Sequence, residues 1–500
     1  MAETKTKKTF LAKHQITLRI FLLLLFFVGG IIFRLHGFTN PVADWHSWRQ
    51  ADTAAVTRNF IKDGFTPLFP KFDSYHSLNE NNLPNPDRYF LAEFPIYNII
   101  TYYGFTTFHH FTIEEWGRIV SIFFSAFGII FLYLLVRQYS SEKVAMIAAF
   151  VFAFLPYNVY YGRVIMPDPM HISFSILALY LVTLWTKTSR WWWAVLAGIA
   201  YSVAVLTKPY GLVLLLPIAY LLLRTWKHKV FIKPSVYLFA ILGLVPLALW
   251  RYHIDLYPQG QFGTTWLYNQ GNIRFTGAYF HWLIYDRMNR LIFATGGFVL
   301  FWIGIIRGNN QREGFFYYLW LTAVLIFFVV IAKGNVTHDY YQMPLIPIGA
   351  IFIGKGVEFL LEYGKHWYNR VINWGAAIVL ILLMLAFGWF EVRGYYNINH
   401  PEIVMAGQAM DQLLPKDARV IAPYDNDSSF LYLTNRHGWP IGGTDIPTWI
   451  KDGAQYLVSV NYDDTTNYWM SKCTVVKKVP EYVIINLTQC KGPIQNPPQN

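Results

Sequence analysis

Long apolar segments recur along the first 390 residues of the chain and alternate with short polar loops. The first runs from Ile16 to Leu35, which at roughly 20 residues is long enough to cross a bilayer. The others lie near residues 117–136, 144–160, 169–186, 191–207, 209–223, 236–250, 290–306, 315–332, 342–360 and 372–390. The pattern therefore predicts a polytopic α-helical membrane protein with about 11 transmembrane helices.

One long polar stretch interrupts this pattern early in the chain. Residues 36–115 are polar and aromatic, and several prolines prevent a long helix, so we expect a large first external loop. Within it, residues 52–62 are expected to form a short helix. That helix would lie on the membrane surface with Val56, Phe60 and Ile61 facing lipid.

After residue 393 the composition changes to that of a soluble domain. The patterns there predict a helix, two strands and a hairpin, at residues 401–414, 419–422, 455–460, and 474–479 with 482–487. We therefore expect a transmembrane domain over residues 1–393 and a small α/β domain over residues 394–500. Cys473 and Cys490 flank the predicted hairpin, and either a disulfide or two free thiols is compatible with the sequence.

Composition and charge support the membrane assignment. Hydrophobic residues make up 54% of the chain and charged residues 14%, which is typical of a polytopic membrane protein and not of several soluble domains. The net charge of +12 would suit a nucleic-acid-binding protein. The basic residues, however, are dispersed in loops between apolar segments, so we predict no nucleic-acid partner.

The same basic residues indicate orientation, because cytoplasmic loops of membrane proteins are enriched in Lys and Arg. Four lysines precede the first span, and alternate loops contain Arg137 and Lys143, Lys187 and Arg190, Arg224 with Lys227, Lys229 and Lys233, Arg307 and Arg312, and Lys365 and Arg370. With an odd number of spans, this pattern predicts a cytoplasmic N-terminus and an extracytoplasmic first loop and C-terminal domain.

The first cluster of candidate functional residues follows the first span. Asp44 and Asp52 lie there beside His46, Arg49 and two tryptophans. Most acidic loop residues are simply solvated. A carboxylate held at the membrane interface among such neighbours is partly desolvated, however, and suited to proton or metal chemistry.

Three further clusters lie at the predicted outer ends of spans. Arg163 and Asp168 flank a short turn and could either form an interfacial ion pair or serve a site. Lys208 lies where two spans meet, so it either extends its ammonium group to the interface or binds an anion such as a phosphate. His338 begins the segment His338 to Gln342 before the tenth span. All four clusters map to one face of the membrane, which favours a shared functional site.

Together these motifs resemble those of prokaryotic family 39 glycosyltransferases, GT-C fold enzymes related to protein O-mannosyltransferases and lipid A aminoarabinose transferases. The resemblance covers roughly residues 15–390. It lies in the order and spacing of the motifs at residues 47–54, 58–60, 93–97, 117–118, 163–168, 206–209 and 338–344.

The resemblance implies roles for individual residues. The essential acid of the first loop would be Asp44, with Asp52 as the rival, and the second-loop acid would be Asp168. Lys208, Arg163 and Arg49 are expected to bind the donor phosphate. If a divalent cation such as Mg²⁺ or Mn²⁺ is used, Asp44 and Asp168 are its expected ligands. Six other residues are expected to contact substrate: His46, Glu93, His338, Asp339, Tyr340 and Tyr341.

The expected function is transfer of a hexose or pentose from a polyprenyl-phosphate donor to a lipid, protein or glycan acceptor. Transfer would occur on the extracytoplasmic face of the plasma (inner) membrane, with inversion at the anomeric carbon because a single acceptor displaces the phosphate. The C-terminal domain is expected to contribute acceptor recognition. The alternative is a secondary transporter or lipid flippase for a polyprenyl-linked or anionic substrate. It would favour internal repeats and charges near mid-bilayer, which the sequence does not show.

Overall fold

The computed structural model describes residues 2–77, 79–363 and 366–495, and for residues 2–15 and 444 it describes the backbone only. Lys365, the side chains of the four N-terminal lysines and residues 496–500 lie outside this description. The other basic loop residues that predict the orientation belong to the described part of the chain.

Most of the described chain is helical. In chain order the α-helices are α1 (Ala2–Arg34), α2 (Ser47–Lys62), α3 (Ile96–Thr107), α4 (Ile113–Val136), α5 (Glu142–Phe154), α6 (Pro156–Tyr161), α7 (Asp168–Thr188), α8 (Trp191–Thr207), α9 (Leu215–Trp226), α10 (Pro234–Asp255), α11 (Thr265–Asn269), α12 (Gly277–Phe280), α13 (Gly296–Ile306), α14 (Phe316–Val330), α15 (Ala332–Thr337), α16 (Leu345–Glu362), α17 (Trp367–Val392), α18 (Pro401–Leu413), α19 (Ser428–Leu433), α20 (Ile446–Lys451) and α21 (Asp464–Lys472). A π-helix, His281–Ile292, precedes α13, and the 3-10 turn Pro209–Leu214 precedes α9.

The strands all lie in the C-terminal part of the described chain. They are β1 (Arg419–Ile421), β2 (His437–Trp439), β3 (Tyr456–Ser459), β4 (Cys473–Val479) and β5 (Tyr482–Cys490). The predicted helix corresponds to α18, the two predicted strands to β1 and β3, and the predicted hairpin to the β4–β5 pair. The bounds agree within three residues at either end. The sequence did not identify β2, which is only three residues long.

Each of the eleven predicted apolar segments is helical along most of its length. Six helices of the described chain are long and apolar enough to span a membrane. The number is seven if the helical segments Gly277–Ile292 and Gly296–Ile306, which are bent by 113° relative to each other, count together as one span. Helices α8 and α14 are apolar but shorter. The chain is thus a mostly helical membrane protein, whereas the count of about 11 spans stays a prediction.

The chain divides into two compact units. Unit 1 comprises Met1–Phe38, Ile119–Trp250 and Thr264–Gly394, and unit 2 comprises Thr39–Arg118, Arg251–Gly263 and Tyr395–Asn500. The first loop and the C-terminal segment are therefore parts of one unit. The predicted domain boundary at residue 393 stays a prediction.

Glycines allow close helix packing in unit 1. A Cβ atom added at Gly304 of α13 would lie 1.8 Å from the Phe352 carbonyl oxygen of α16, and one at Gly356 would lie 2.1 Å from the Leu300 carbonyl oxygen. Small residues that bring backbones together are a common basis of helix association in membranes. The α13 and α16 backbones are in direct contact for this reason.

A five-stranded sheet forms the centre of the C-terminal part of unit 2. Its strand order is β2-β1-β3-β5-β4, with β2, β1 and β3 parallel and β5 antiparallel to both β3 and β4. Side chains alternate between two apolar clusters: Val420 belongs to the cluster with α18 and α19, whereas Ile421 belongs to the cluster with α20 and α21. The period-2 pattern thus produces a sheet covered by helices on both faces.

The first loop of unit 2 extends this sheet at its β2 edge. Ser74 pairs with Gly438 in parallel, the Tyr75 amide donates to the Gly438 carbonyl at 2.9 Å, and the Gly438 amide donates to the Asp73 carbonyl at 3.0 Å. Pairing of this kind covers an otherwise open strand edge. The loop and the α/β region therefore share one hydrogen-bonded framework.

The prediction for the helix in the first loop was wrong about the first residue of the helix and about its surroundings. Helix α2 begins at Ser47, not at Asp52, and its residues from Arg49 to Phe60 are all buried. Val56 and Phe60 are each 2% exposed and therefore pack against protein instead of lipid. A short helix with polar side chains on several sides is buried here because the rest of unit 2 supplies partners for those side chains.

A disulfide joins Cys473 and Cys490 across the β4–β5 hairpin. A crosslink between residues 17 positions apart removes conformational entropy from the unfolded chain. We predict that replacing both cysteines by serine lowers the free energy of unfolding of this region by about 3 kcal/mol. The measurement is the temperature at which a protease first cuts the hairpin in the full-length protein. Reductant should lower the cleavage temperature of the wild type to that of the double variant and leave the double variant unchanged. Equal cleavage temperatures for the oxidised wild type and the double variant would contradict the prediction.

Candidate functional site

The loop before α2 holds Asp44 in a fixed position within unit 2. Its carboxylate accepts a hydrogen bond from Gln50 Nε2 at 2.6 Å, and the same amide also donates to the Trp45 carbonyl at 3.1 Å. The Trp45 amide donates to the Tyr395 carbonyl at 3.0 Å, and the two rings stack with centroids 4.9 Å apart. His46, in left-handed backbone conformation at φ 56°, ends the turn and lets α2 begin.

Asp44 lies on the wall of a cavity of about 350 Å³ within unit 2. The other lining residues include Trp45, His46, His400 and Tyr424, as well as Asp427. Trp45 is 42% exposed, so part of its ring is available to a ligand. The lining contains aromatic rings, carboxylates and imidazoles but no Lys or Arg, a combination that suits an uncharged polar ligand.

Asp52 is the sixth residue of α2 and is not part of that cavity wall. It is 5% exposed, and the Ser428 hydroxyl lies within hydrogen-bonding reach of its carboxylate and of the Trp48 carbonyl. Burial raises the pKa of Asp52 from its ordinary value of 3.8 to about 7, although Ser428 and the charge of Arg49 act in the opposite direction. Asp52 is therefore a carboxyl group that titrates near neutral pH.

Arg49, predicted to bind the donor phosphate, forms an ion pair with Glu93, which is predicted to contact substrate. The distance between Arg49 Nη2 and Glu93 Oε1 is 2.6 Å, and both side chains are largely buried. The Arg49 guanidinium also lies 5.7 Å from the centre of the Phe90 ring. The prediction that Arg49 binds a phosphate stays a prediction, and Glu93 balances part of its charge.

A second polar network at the other end of α2 was not predicted from the sequence. Arg58 forms an ion pair with Asp73, donates to the Tyr432 carbonyl at 2.9 Å and lies 3.8 Å from the centre of the Tyr432 ring. Asn59 donates to Asp73 Oδ1 at 3.1 Å and contacts His437 at 3.0 Å. This network attaches α2 to the sheet region of unit 2.

The candidate residues of unit 1 meet where α7 begins and α8 ends. Lys208 Nζ lies 3.3 Å from Asp168 Oδ2, and the Tyr210 hydroxyl donates to Asp168 Oδ1 at 3.0 Å. Lys208 is 5% exposed and Asp168 is fully buried. Two of the predicted clusters are thus brought into contact through a charge pair inside the protein.

The fourth cluster lies next to this pair in unit 1. The Tyr210 and Tyr341 ring centroids are 6.5 Å apart, and the His338 ring packs against those of Tyr340 and Tyr341 at 5.4 and 5.6 Å. The Asp339 carboxylate accepts a hydrogen bond from the Tyr161 hydroxyl at 2.5 Å. Segment 338–341 therefore surrounds the region of Tyr210 with aromatic rings and one buried carboxylate.

Arg163 is fully buried in the turn between α6 and α7. Its Nη1 atom donates to the Gly37 carbonyl at 2.9 Å, and its guanidinium lies 5.1 Å from the centre of the Tyr160 ring. The carboxylate of Asp168, the other candidate residue of this turn, pairs with Lys208.

Several residues of these arrangements were missed by the sequence analysis. Gln50 orients Asp44, Ser428 and Asp427 lie beside Asp52, and Tyr210 binds Asp168. Tyr210 could have been found, since it lies two positions after Lys208, at the start of the next predicted span. Ser428 could not, because no local pattern links it to α2.

The described residues contain no group of three or more His, Cys, Asp or Glu side chains that could hold a metal ion. Asp44 accepts from Gln50, and Asp168 is paired with Lys208 and Tyr210. A divalent cation at Asp44 and Asp168 stays a prediction.

A family model supports the relationship suggested by the motifs. Residues 100–253 match the model for dolichyl-phosphate-mannose-protein mannosyltransferases, which is less than half of the chain. The match includes Arg163, Asp168 and Lys208. A comparison with curated protein sequences gave no significant match.

Solved structures show the same fold. ArnT from Cupriavidus metallidurans bound to undecaprenyl phosphate is 15% identical, with a TM-score of 0.64, over 94% of this chain and 99% of that one. The Archaeoglobus fulgidus oligosaccharyltransferase tethered to an acceptor peptide is 11% identical, with a TM-score of 0.60, over 90% of this chain and 70% of that one. The oligosaccharyltransferase AglB from the same organism, in complex with an inhibitory peptide and a dolichol-phosphate, has a TM-score of 0.54 at 11% identity, over 91% and 71% of the two chains.

The chain therefore has the GT-C fold, and the predicted resemblance to mannosyltransferases is confirmed over residues 100–253. The membrane location and transmembrane helices expected from the sequence are also confirmed. The identities are low, so the fold is shared while the roles of individual residues have to be argued from this structure.

The raised pKa of Asp52 gives a pH-dependent contribution to stability. Because the folded state holds this proton more tightly than the unfolded state, stability falls as pH rises from about 4 to about 7 and stays lowered above that. We predict that Asp52→Asn removes this fall and stabilises the full chain at pH 8, by at most about 4 kcal/mol, with little effect at pH 4. Thermal unfolding at several pH values measures it. Asp452→Asn, a change at an exposed carboxylate of the same unit, is the control and should leave the pH dependence intact; an unaltered profile in Asp52→Asn would contradict the assignment.

Proposed function

We propose that the protein is an integral membrane glycosyltransferase that uses a polyprenyl-phosphate sugar donor. The observation that carries the proposal is a buried carboxylate, Asp44, oriented by Gln50 on the wall of an aromatic cavity without cations. The fold shared with ArnT and the oligosaccharyltransferases supports it, since those structures were solved with undecaprenyl phosphate and dolichol-phosphate. The acceptor reacts through a hydroxyl group.

Asp44 acts as the general base in this proposal. It accepts the proton of the acceptor hydroxyl while the oxygen attacks the anomeric carbon and the bond from that carbon to the phosphate oxygen breaks. The attack comes from the side opposite the phosphate, so the configuration is inverted. Gln50 supports this role because its amide donates a hydrogen bond to the carboxylate and orients it on the cavity wall.

Lys208 neutralises the phosphate as it leaves, with Arg163 and Arg49 as further cations. A positioned cation in a low-dielectric site stabilises developing negative charge without reorganisation of solvent. Asp168 and Tyr210 hold the Lys208 ammonium group in a fixed position before the donor binds. Asp168 is therefore a positioning residue and not a second base.

Asp52 is the rival candidate for the base. A pKa of about 7 suits general base catalysis near neutral pH, which favours Asp52. Against it, Asp52 does not line the cavity, whereas Asp44 does. Contact with the acceptor is the stricter requirement, so Asp44 is preferred.

The acceptor is recognised by unit 2, including its C-terminal α/β region. A further cavity of about 610 Å³ is lined by the loops that follow β1, β2 and β3, including Asn426, Gly443 and Asn461. In parallel sheets, ligands commonly bind at the carboxyl ends of the strands. His400 and Tyr424 line both this cavity and that of Asp44, so an extended acceptor can contact both. Neither lining contains Lys or Arg, which favours an acceptor that is not anionic there.

The proposed orientation follows the basic loops: an extracytoplasmic active site and C-terminal region, with the N-terminus in the cytoplasm of a plasma (inner) membrane. The transferred sugar is a hexose or a pentose. Mass spectrometry of envelope lipids, glycans and glycoproteins from a deletion strain identifies sugar and acceptor together and tests the proposed function. No observation on the described residues specifically favours the transporter alternative.

We predict that Asp44→Asn lowers the transfer rate about 100-fold or more and leaves donor binding near the wild-type value, because it removes a proton acceptor without changing shape. Asp52→Asn should lower the rate less than about tenfold. The assay compares transfer rate and donor affinity in the two variants, each checked to be folded. The reverse order of effects would assign the base to Asp52.

We predict that Lys208→Ala weakens donor binding roughly tenfold to hundredfold, because a phosphate loses a charge-assisted contact. Lys208→Arg should restore part of the affinity. The single variant leaves Asp168 as an unpaired buried charge, which can destabilise the protein by itself. The double variant Lys208→Ala with Asp168→Asn removes both charges and is the matched control for folding. Normal donor affinity in the double variant would show that Lys208 does not bind the phosphate.

A further inference from the structure

Unit 1 contains a cavity whose chemistry is opposite to that of the Asp44 cavity. Its volume is about 520 Å³, within the range typical of ligand pockets, and four of its lining residues are cations. These are Arg137, Lys187, Arg224 and Arg312, and no Asp or Glu belongs to the lining. We refer to it as the basic cavity.

The basic cavity is remote from the pair that is proposed to bind the donor phosphate. Lys187 lies in the last turn of α7, and Asp168 is the first residue of the same helix. The 19 positions between them correspond to roughly 28 Å along the helix axis. The basic cavity therefore lies at the other end of the membrane helices, the end that the basic loops predict to be cytoplasmic.

The four cations come from four separate segments of unit 1. Arg137 follows α4, Lys187 ends α7, Arg224 lies in the last turn of α9, and Arg312 lies in the loop between α13 and α14. Basic residues at span ends are common, and each alone would simply reach the membrane surface. Convergence of four such residues on one cavity is more specific than that general tendency.

Hydrogen bonds to neutral groups fix two of these cations without balancing their charge. Arg224 donates to the backbone carbonyls of Gln311, Arg312 and Glu313 at 2.5, 2.9 and 3.1 Å, and Lys187 donates to Gln138 Oε1 at 2.9 Å. Arg137 differs, because Glu142 pairs with it at 3.0 Å. Among the described residues no carboxylate forms an ion pair with Lys187, Arg224 or Arg312. The cavity thus holds three like charges whose mutual repulsion an anion would relieve.

We propose that the basic cavity binds a phosphate group. Arginine guanidinium groups match phosphate oxygens in planar, paired hydrogen bonds, and a lysine adds a point charge. Basic pockets between membrane helices on the cytoplasmic side are known to suit anionic lipid head groups. The phosphate can belong to such a head group or to a soluble phosphate compound, and the experiment separates the two sources.

The test uses the purified full-length protein in an uncharged detergent. Binding of phosphatidylglycerol in mixed micelles and of inorganic pyrophosphate in solution is measured for the wild type and for Lys187→Gln with Arg312→Gln. Arg224 is left intact because it supports the 311–313 backbone. The matched control is Arg190→Gln with Lys229→Gln, which removes the same charge from exposed residues outside the cavity lining.

Removal of two cations should weaken binding of the phosphate ligand at least about tenfold, whereas the control pair should change it less than about threefold. Loss of phosphatidylglycerol binding alone identifies a lipid head group, and loss of pyrophosphate binding identifies a soluble ligand. The proposal is overturned if the wild type binds neither ligand more tightly than the cavity variant does, or if the control variant loses as much affinity. Transfer activity is not needed as a readout, so failure here leaves the proposed glycosyltransferase function untouched.

Discussion

The burial of α2 is the constraint on which unit 2 depends. Twelve consecutive residues from Arg49 to Phe60 are buried, and most of them are polar or charged. Burying such groups is unfavourable unless each finds a partner. Arg49 finds Glu93, Gln50 finds Asp44, and the other partners come from the first loop and from the C-terminal region. The helix thereby requires the loop and the α/β region to fold as one unit with it.

Buried charges in unit 1 also need partners, and the partners differ between the two ends of its helices. At the start of α7, Lys208 and Asp168 compensate each other and stay buried. Lys355 and Glu313 form another buried pair, at 2.6 Å. Removing one partner of such a pair is costly, since the remaining charge is left in a low-dielectric interior. The basic cavity differs from both pairs because two of its cations, Arg224 and Lys187, are held by carbonyl and amide oxygens, which leaves their charge available to a ligand.

Two carboxylates of unit 2 show how environment separates otherwise identical side chains. Asp44 faces a cavity and accepts a hydrogen bond from an amide. Asp52 is enclosed, and burial moves its pKa to about 7. Catalytic sites often contain such pairs, in which one carboxyl group contacts the substrate and the other is tuned by its surroundings. The enclosed group, Asp52, is also within hydrogen-bonding reach of Ser428, so the C-terminal region contacts α2 at this residue.

The sequence by itself determined the features that depend on local pattern. Apolar runs determined the membrane helices, period-2 alternation determined β3 and the β4–β5 hairpin, and polar breaks between spans marked Asp168 and Lys208. Only the tertiary structure decided the partners: Arg58 and Tyr432, in contact although 374 residues apart, have no local signal that connects them. The same holds for the burial of α2, whose composition suggested a surface helix. Hydrophobic periodicity reports which side of an element is apolar, whereas the stability of a buried polar residue depends on groups that distant segments bring to it.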